Sequence, residues 1–222
     1  VGRHEELRAT SQSVRVQSQA LIAGIADRIP ALLSVGFAIL ILSLLRASRS
    51  IVLPLWGEHL GMSATIIGVV MSIGAAFDLL LFLPAGYISD RFGRKVSASL
   101  CIGVFSLGLL LLIPAESIWL FAMAGALVGL GNGLGAGINM TTGTDLAPNG
   151  AVGPFLGLWR LYGDLGHVIG PIAVGALAGA VSLPLAVAIV AGIGGSGFAV
   201  MAFVAPETRD IAHADDATFS QR

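Results

Sequence analysis

The sequence predicts an all-α integral membrane protein with six transmembrane helices, and three observations lead to this fold class. Only 11% of the 222 residues are charged and 55% are hydrophobic, whereas water-soluble domains carry about 25% charged residues. Six apolar segments reach the length of about 20 residues that a helix needs to cross the hydrocarbon core. Their apolar residues run continuously instead of alternating with polar ones, which excludes a transmembrane β-barrel.

Short stretches of turn-forming residues separate the six predicted helices. In chain order the helices occupy residues 31–56, 63–86, 96–114, 117–143, 153–180 and 183–205. Glycine, proline, serine and aspartate concentrate between them, at 57–61, 90–93, 114–117, 148–153 and 182–184. The chain therefore divides into a segment over 1–30, a six-helix membrane domain over 31–205 and a tail over 206–222.

The segment before the first span carries a weak apolar stripe. Its members follow one another at helical spacing: Val14, Ser18, Leu21, Ile22, Ile25 and Ile29. This spacing predicts an amphipathic helix that lies on the inner membrane surface. A solvated linker is the alternative, because the stripe is narrow.

The distribution of lysine and arginine predicts the orientation in the membrane. Outside the spans these residues are Arg3, Arg8, Arg15, Arg28, Arg91, Arg94, Lys95, Arg209 and Arg222, whereas the loops around Glu58, Glu116 and Ser182 contain none. By the positive-inside rule, both termini and the 86–95 loop face the cytoplasm of a plasma (inner) membrane. Trp56 and Trp119 then lie at the outer ends of their helices, where interfacial aromatic residues are common.

Several functional classes are excluded by composition. A lone cysteine, Cys101, rules out a disulfide framework, and the absence of a Cys/His cluster leaves no predicted metal site or cofactor. A net charge of −1 provides no basic patch for a nucleic-acid partner. Membrane lipids are the partners that this composition does predict.

The loop after the second span holds the most specific motif. Its ten residues read Gly86-Tyr87-Ile88-Ser89-Asp90-Arg91-Phe92-Gly93-Arg94-Lys95. We expect Gly86 to allow close helix packing, Gly93 to allow a tight turn and Asp90 to cap the next helix. The three basic side chains, Arg91, Arg94 and Lys95, would face the anionic inner leaflet. A basic loop that only sets orientation is the alternative.

A second motif of spaced small residues lies in the fifth span. It consists of Gly157, Gly166, Gly170, Pro171 and Gly175. Glycine at this spacing allows two membrane helices to approach closely, and proline permits a kink. Ordinary helix packing, without any bearing on transport, explains the same pattern.

Both motifs resemble signatures of the major facilitator superfamily. The loop is similar to that family's Gly…Asp-Arg-x-Gly-Arg-Lys signature, and the fifth span is similar to its antiporter motif, with Val174 where the family has glycine. The glycine-rich run 129–137 and the Pro-Glu-Thr-Arg sequence at 206–209 extend the resemblance over residues 31–209. The resemblance implies proton-coupled antiport and a cytoplasmic latch that biases the inward and outward states.

The same resemblance implies that this chain is one half of a transporter, since the family folds as two six-helix halves. No arginine stands near Val128 and Gly129 in the fourth span, where the amino-terminal half of the family usually has one. Together with the start at Val1 and the Pro-Glu-Thr-Arg sequence, this favours the carboxy-terminal half. The antiporter-like motif favours the amino-terminal half.

Ionisable residues inside the spans are the leading candidates for a site, because each costs about 2.5–3.5 kcal/mol at a helix centre. They are Arg46, Arg49, Asp78, Arg160 and Asp164, together with His167. Arg160, Asp164 and His167 share one helix face, and so do Asn132 and Asn139. Asp164 and Asp78 are predicted proton carriers, and the other residues line a solute cavity.

Each of these roles has an alternative. Arg160 and Asp164 can form a structural ion pair, and Asp78 can be a gate residue that packs against the Gly86 loop. Arg46 and Arg49 can bind an anionic group or neutralise Asp78. The two asparagines can join helices instead of binding solute.

The predicted function is secondary active transport of small solutes by alternating access, as proton-coupled antiport or efflux, and not enzyme catalysis. The partners would be the solute, protons and the other six-helix half, in the same full-length chain or in a second copy. One alternative is a six-helix scaffold. Another is an intramembrane serine protease, because Gly194-Gly195-Ser196-Gly197 fits a GxSG motif, although His167 precedes Ser196 and the serine lies inside an uninterrupted helix.

Overall fold

The computed structural model describes residues 2–211, with side chains from Arg28 onward and, before that, for Ile22, Ile25 and Ala26. The described part is helical and contains no strand. Its helices are α1 (Gly2–His59), α2 (Ala64–Phe92), α3 (Arg94–Leu112), α4 (Ile118–Leu134), α5 (Ile138–Leu146), α6 (Val152–Ala180) and α7 (Leu183–Ala199). A π-helical turn, Val200–Val204, follows α7. The predicted all-α class is confirmed.

Six helical segments of the described chain are long and apolar enough to cross a membrane. They are Arg28–His59, Ala64–Phe92, Arg94–Leu112, Ile118–Leu146, Val152–Ala180 and Leu183–Val204. Each matches one predicted span, but the boundary between the second and third differs. The predicted loop at 86–95 is helical except at Gly93, because α2 continues to Phe92 and α3 begins at Arg94.

The segment before the first span is helical and continuous with it, because α1 begins at Gly2. Ile22 and Ile29 are exposed, whereas Ile25 packs against the core. The side chains of Val14, Ser18 and Leu21 lie outside the described residues. The location of this segment on the membrane surface stays a prediction, and most of the predicted tail, residues 212–222, lies beyond the described chain.

The fourth predicted helix is broken in the structure. It ends as α4 at Leu134 and resumes as α5 at Ile138, and between them Gly137 adopts a φ of +74°. This left-handed conformation is readily available to glycine alone. The predicted continuous helix 117–143 is therefore wrong at 135–137, and side chains on the two sides of the break need not share a face.

Two groups of helices pack around a common apolar core. In one group α1 packs mainly against α6 and also against α7, and in the other α4 packs against both α2 and α3. Glycines bring these helices together. A Cβ added at Gly170 would lie 2.5 Å from the Leu44 carbonyl oxygen, and one at Gly129 would collide with the backbone of Gly74. The two groups meet where α3 packs against α7.

Three glycines predicted to mediate packing have no close neighbour among the described residues. A Cβ added at Gly86, Gly157 or Gly175 would meet nothing within 4 Å. Gly166, by contrast, lies against the Leu40 carbonyl, as Gly170 lies against that of Leu44. The close contacts of the fifth-span motif are therefore confined to its middle, where α6 crosses α1.

The two tryptophans predicted at the outer interface differ in their surroundings. Trp119 is 81% exposed. Trp56 is 2% exposed, and its indole Nε1–H donates to the Ala115 carbonyl at 3.3 Å. Trp56 therefore joins α1 to the loop after α3. It lies at the end of its helix, as predicted, but its ring is buried in the protein.

Candidate functional site

Polar side chains at mid-depth in the spans form two separate groups. We name the first, Arg46, Arg49, Asp78 and Asn132, the central cluster. The second lines an open pocket of about 450 Å³ beside α6 and contains Asn139, Arg160, Asp164 and His167; we name it the α6 pocket. Every residue predicted to line the cavity belongs to one of these two groups.

Asp78 organises the central cluster. The amide of Asn132 donates to its Oδ2 at 2.5 Å, and the Arg49 guanidinium approaches the same oxygen at 3.5 Å. These side chains are brought together because Gly133 packs directly on the backbone of Asp78, so that α4 meets α2 without an intervening side chain. One carboxylate oxygen thus joins α2 to both α1 and α4.

Asp78 lies further from the end of its helix than expected, because the predicted helix ends at 86 and α2 ends at Phe92. It stands midway along α2, about 21 Å from either end at 1.5 Å per residue. The alternative in which it packs against the Gly86 loop is wrong, because α2 continues past that loop to Phe92. Its partners are Arg49 and Asn132. Of the two arginines that could neutralise Asp78, Arg49 is the one that pairs with it.

Arg46 lies beside the break in the fourth span. Its Nη2 donates to the Gly135 carbonyl at 2.8 Å. The buried thiol of Cys101 lies next to the same guanidinium. Arg46 thus satisfies one of the carbonyl groups that the end of α4 leaves without a helical partner.

The charged residues of the α6 pocket are unusually exposed. Arg160 Nε lies 3.8 Å from Asp164 Oδ2, and the two side chains are 82% and 65% exposed. His167 lies one turn further along the same face, and its Nδ1 bonds to the Gly163 carbonyl at 2.9 Å. Because a carbonyl can only accept, Nδ1 carries a proton in this bond, which makes Nε2 the ring nitrogen that can gain or lose one.

Asn139 enters the α6 pocket from α5. The indole Nε1–H of Trp159 donates to its backbone oxygen at 2.8 Å and to its side-chain oxygen at 2.9 Å. Asn132 contacts Asp78 instead. The predicted shared face of Asn132 and Asn139 is wrong, because the break at 135–137 directs them to different groups.

Arg94 is the centre of the motif at 86–95. It contacts Asp90 at 2.5 Å, Ser89 at 3.0 Å and Asp145, at the end of α5, at 3.4 Å. Asp145 also accepts a hydrogen bond of 3.1 Å from Thr208. One arginine thus joins the ends of three helices to the segment that follows α7.

The cap of α3 is Glu207 and not Asp90. Its carboxylate accepts the backbone N–H of Arg94 at 2.9 Å and that of Lys95 at 3.2 Å. The predicted capping by Asp90 is wrong, because the tight turn at Gly93, with a φ of +99°, leaves room for the Glu207 carboxylate over the helix end. Asp90 instead accepts, through its backbone carbonyl, a 2.7 Å bond from Arg209.

The remaining charged residues of the motif have less extensive contacts. Arg91 stacks on the rings of Tyr87 and Phe92 and bonds to the Tyr87 hydroxyl. The side chain of Lys95 is half-buried. Of the three basic side chains, that of Arg94 alone makes a hydrogen bond or ion pair with a distant part of the described chain, at Asp145.

Sequence reasoning missed Asp145, Glu207 and Thr208 as members of the network around Arg94. Glu207 and Thr208 belong to the Pro-Glu-Thr-Arg sequence at 206–209, which resembles the family. Nothing in that sequence indicated which residues they would contact. Asp145 had no such signal, because it stands 51 positions from the arginine that it contacts. Contacts of this range follow from helix packing and not from local sequence.

The geometry of the protease alternative is unfavourable. Ser196 donates its hydroxyl to the Ile193 carbonyl of its own helix at 2.7 Å. His167 bonds to Gly163 on another helix, and within the described residues no hydrogen bond joins it to Ser196. A serine nucleophile requires a base within hydrogen-bond reach, so this pair does not form a dyad in this structure.

Comparison with known proteins agrees with the helices and motifs. A sequence model of the Major Facilitator Superfamily matches residues 32–219. The chain belongs to the Major Facilitator Superfamily. The six membrane-length helices of the described chain make it a multi-pass membrane protein.

Curated members of the superfamily resemble part of the chain. The Multidrug resistance protein MdtG of Salmonella paratyphi C is 33% identical over 132 residues, which cover 57% of this chain and 32% of that protein. The proteins of the same name from Citrobacter koseri and Escherichia fergusonii are 32% identical over 131 and 133 residues, with the same coverage. The matched part of the chain thus spans about a third of the length of these relatives.

Proposed function

We propose that this chain is one half of a secondary transporter that exports small solutes in exchange for protons. Alternating access would expose the α6 pocket and the central cluster first to one side of the membrane and then to the other. Asp164 is the principal proton carrier and Asp78 the second. Because the similar proteins are named multidrug resistance proteins, we favour drug-like solutes as the exported substrates.

The exposure of Arg160 and Asp164 carries this proposal. Asp164 lies near the middle of α6 and Arg160 about 12 Å from its start, and most of each side chain is uncovered by the rest of the described chain. Facing hydrocarbon would cost about 2.5–3.5 kcal/mol for a charge at the helix centre. A water-filled cavity against a second half removes this cost, and such a cavity is what a transporter of this superfamily requires.

The α6 pocket has the chemistry for proton exchange. The Arg160–Asp164 pair is loose at 3.8 Å and open to water, so Asp164 can take up a proton without breaking a buried network. Protonation removes the counter-ion of Arg160 and changes the charge of the pocket by one unit. His167 offers Nε2 as a nearby acceptor for the same proton.

We propose that the network around Arg94, on the cytoplasmic side of the membrane, has two arrangements. In the present one Arg94 and Glu207 hold the ends of α2, α3 and α5 to the segment after α7. We propose that rocking of this half against the other loosens these contacts and so couples the two states. Gly86, with open space around it, is available for contact with the second half.

The second half, the orientation and the membrane belong to the same proposal. The six-helix partner would come from the same full-length chain or from a second copy, and the distribution of arginine favours cytoplasmic termini in an inner membrane. The absence of an arginine near Val128 favours the carboxy-terminal half.

The proposal is tested by dye export from inverted membrane vesicles that hold the full-length protein. An imposed proton gradient should drive movement of ethidium or fluorescein, a cationic and an anionic probe. Asp164→Asn should abolish the gradient-driven movement while membrane insertion stays normal. Asp210→Asn, which removes an exposed carboxylate outside the spans, is the matched control and should transport as the wild type does.

Two results would contradict the proposal. One is gradient-driven movement that is unchanged in Asp164→Asn. The other is a stable wild-type protein that moves neither dye in response to a gradient, as expected of the six-helix scaffold.

A further inference from the structure

Arg46 is a membrane-embedded arginine without a counter-ion in the described chain. Its Nη2 bonds to the Gly135 carbonyl, and its Nε is enclosed without any hydrogen-bond acceptor. The neighbouring thiol of Cys101 is a weak acceptor at best. The guanidinium has five N–H donors and a full positive charge, but it makes one good hydrogen bond, to a carbonyl.

Asp78, the carboxylate of the central cluster, already has two partners. Asp78 accepts from Asn132 at 2.5 Å and pairs with Arg49 at 3.5 Å through the same oxygen. The other arginine at mid-depth, Arg160, has Asp164 as its partner. With Asp78 ionised, the central cluster thus holds two positive charges and one negative charge.

A buried charge without a partner is strongly unfavourable, and proteins retain one where a ligand or another chain supplies the opposite charge. Arg46 is half-buried and lies at the break between α4 and α5, so its guanidinium is not sealed inside the helix bundle. A planar guanidinium is also the group best suited to hold a carboxylate through two parallel hydrogen bonds.

We infer that Arg46 binds an acidic group of the transported solute, a carboxylate or a phosphonate. This inference rests on the proposed transport function and assigns a charge to its substrate. Arg46 is then a binding residue, whereas Arg49 acts as the counter-ion of Asp78. A solute with one negative charge makes the central cluster neutral.

The test measures how far a ligand raises the melting temperature of the full-length protein in lipid nanodiscs. Tryptophan fluorescence reports unfolding during heating at one fixed pH. The probes are acetate, benzoate, 2-naphthoate and methylphosphonate, and each carboxylate is paired with its primary amide. Binding to the native state raises the melting temperature in proportion to affinity. The variants are Arg46→Gln, Arg46→Lys and, as a charge-matched control, Arg222→Gln.

We expect at least one acid to stabilise the wild type more than its amide does. Arg46→Gln should weaken the binding of that acid by at least about tenfold, Arg46→Lys should restore part of it, and Arg222→Gln should leave it unchanged. Binding is measured without a proton gradient, so it persists if the proposed proton coupling fails, and dye export persists if this inference fails.

Three results would overturn the inference. The first is equal binding of acids and amides, the second is wild-type binding of the acids by Arg46→Gln, and the third is the absence of binding by every probe. In the second case, a lower melting temperature of Arg46→Gln without probe would indicate that the counter-ion belongs to the second half and not to the solute.

Discussion

Glu207 is expected to stabilise the fold through the amino-terminal end of α3. Glu207→Ala removes a carboxylate that accepts two backbone N–H groups, those of Arg94 and Lys95. Loss of a helix cap costs typically about 1 kcal/mol, and loss of a negative charge at a helix amino terminus costs about 0.3–1 kcal/mol more. With two donors left unsatisfied, we expect a loss of about 2 kcal/mol, which corresponds to about 4–8 °C in melting temperature for a chain of this size.

Cys101 provides the assay. It is the one cysteine of the chain and is 0% exposed, on the helix that Glu207 caps. A maleimide dye that fluoresces on reaction with a thiol therefore reports the temperature at which the packing around α3 opens. Glu207→Gln keeps an acceptor oxygen and should lose less stability than Glu207→Ala.

Glu116→Ala is the matched control, because Glu116 is exposed in a loop on the opposite side of the membrane domain. It should melt with the wild type. The reasoning is refuted if Glu207→Ala also reacts at the wild-type temperature, or if both alanine variants lose the same amount.

Two further predictions concern the packing of α6 and the protease alternative. Gly166→Leu should destabilise the protein or prevent its folding, because the new side chain would collide with the Leu40 carbonyl. Gly175→Leu meets open space and should have a melting temperature near that of the wild type. Equal melting temperatures of the two variants would contradict the packing. Ser196→Ala should leave dye export unchanged, since the hydroxyl bonds within its own helix. Loss of a peptidase activity in this variant would instead support the protease alternative.

The number and order of the spanning helices were predictable because they depend on a local property. An apolar run of about 20 residues has few alternatives to a membrane helix. The break at 135–137 was not predictable in the same way. A glycine-rich run is compatible both with close helix packing and with a left-handed turn, and its outcome at Gly137 depends on the helices around it.

The candidate site was predictable in its residues but less so in its contacts. The cost of a charge in hydrocarbon singled out Arg46, Asp78 and Asp164 without any structure. Their partners follow from helix packing, which joins Asp78 to a residue 54 positions away. The capping of α3 by Glu207 in place of Asp90 has the same origin, since the two positions are far apart in sequence.

The central claim is that the polar face of α6 borders water and not lipid, and cysteine accessibility tests it most directly. In a Cys101→Ser background, Gly157→Cys places a thiol in the α6 pocket and Leu107→Cys places one on the apolar outer face of α3. We predict that a membrane-impermeant, charged thiosulfonate reagent added to inverted vesicles modifies the first thiol rapidly and the second hardly at all. Equal protection of both thiols would show that this face is covered by lipid or protein and would contradict the account.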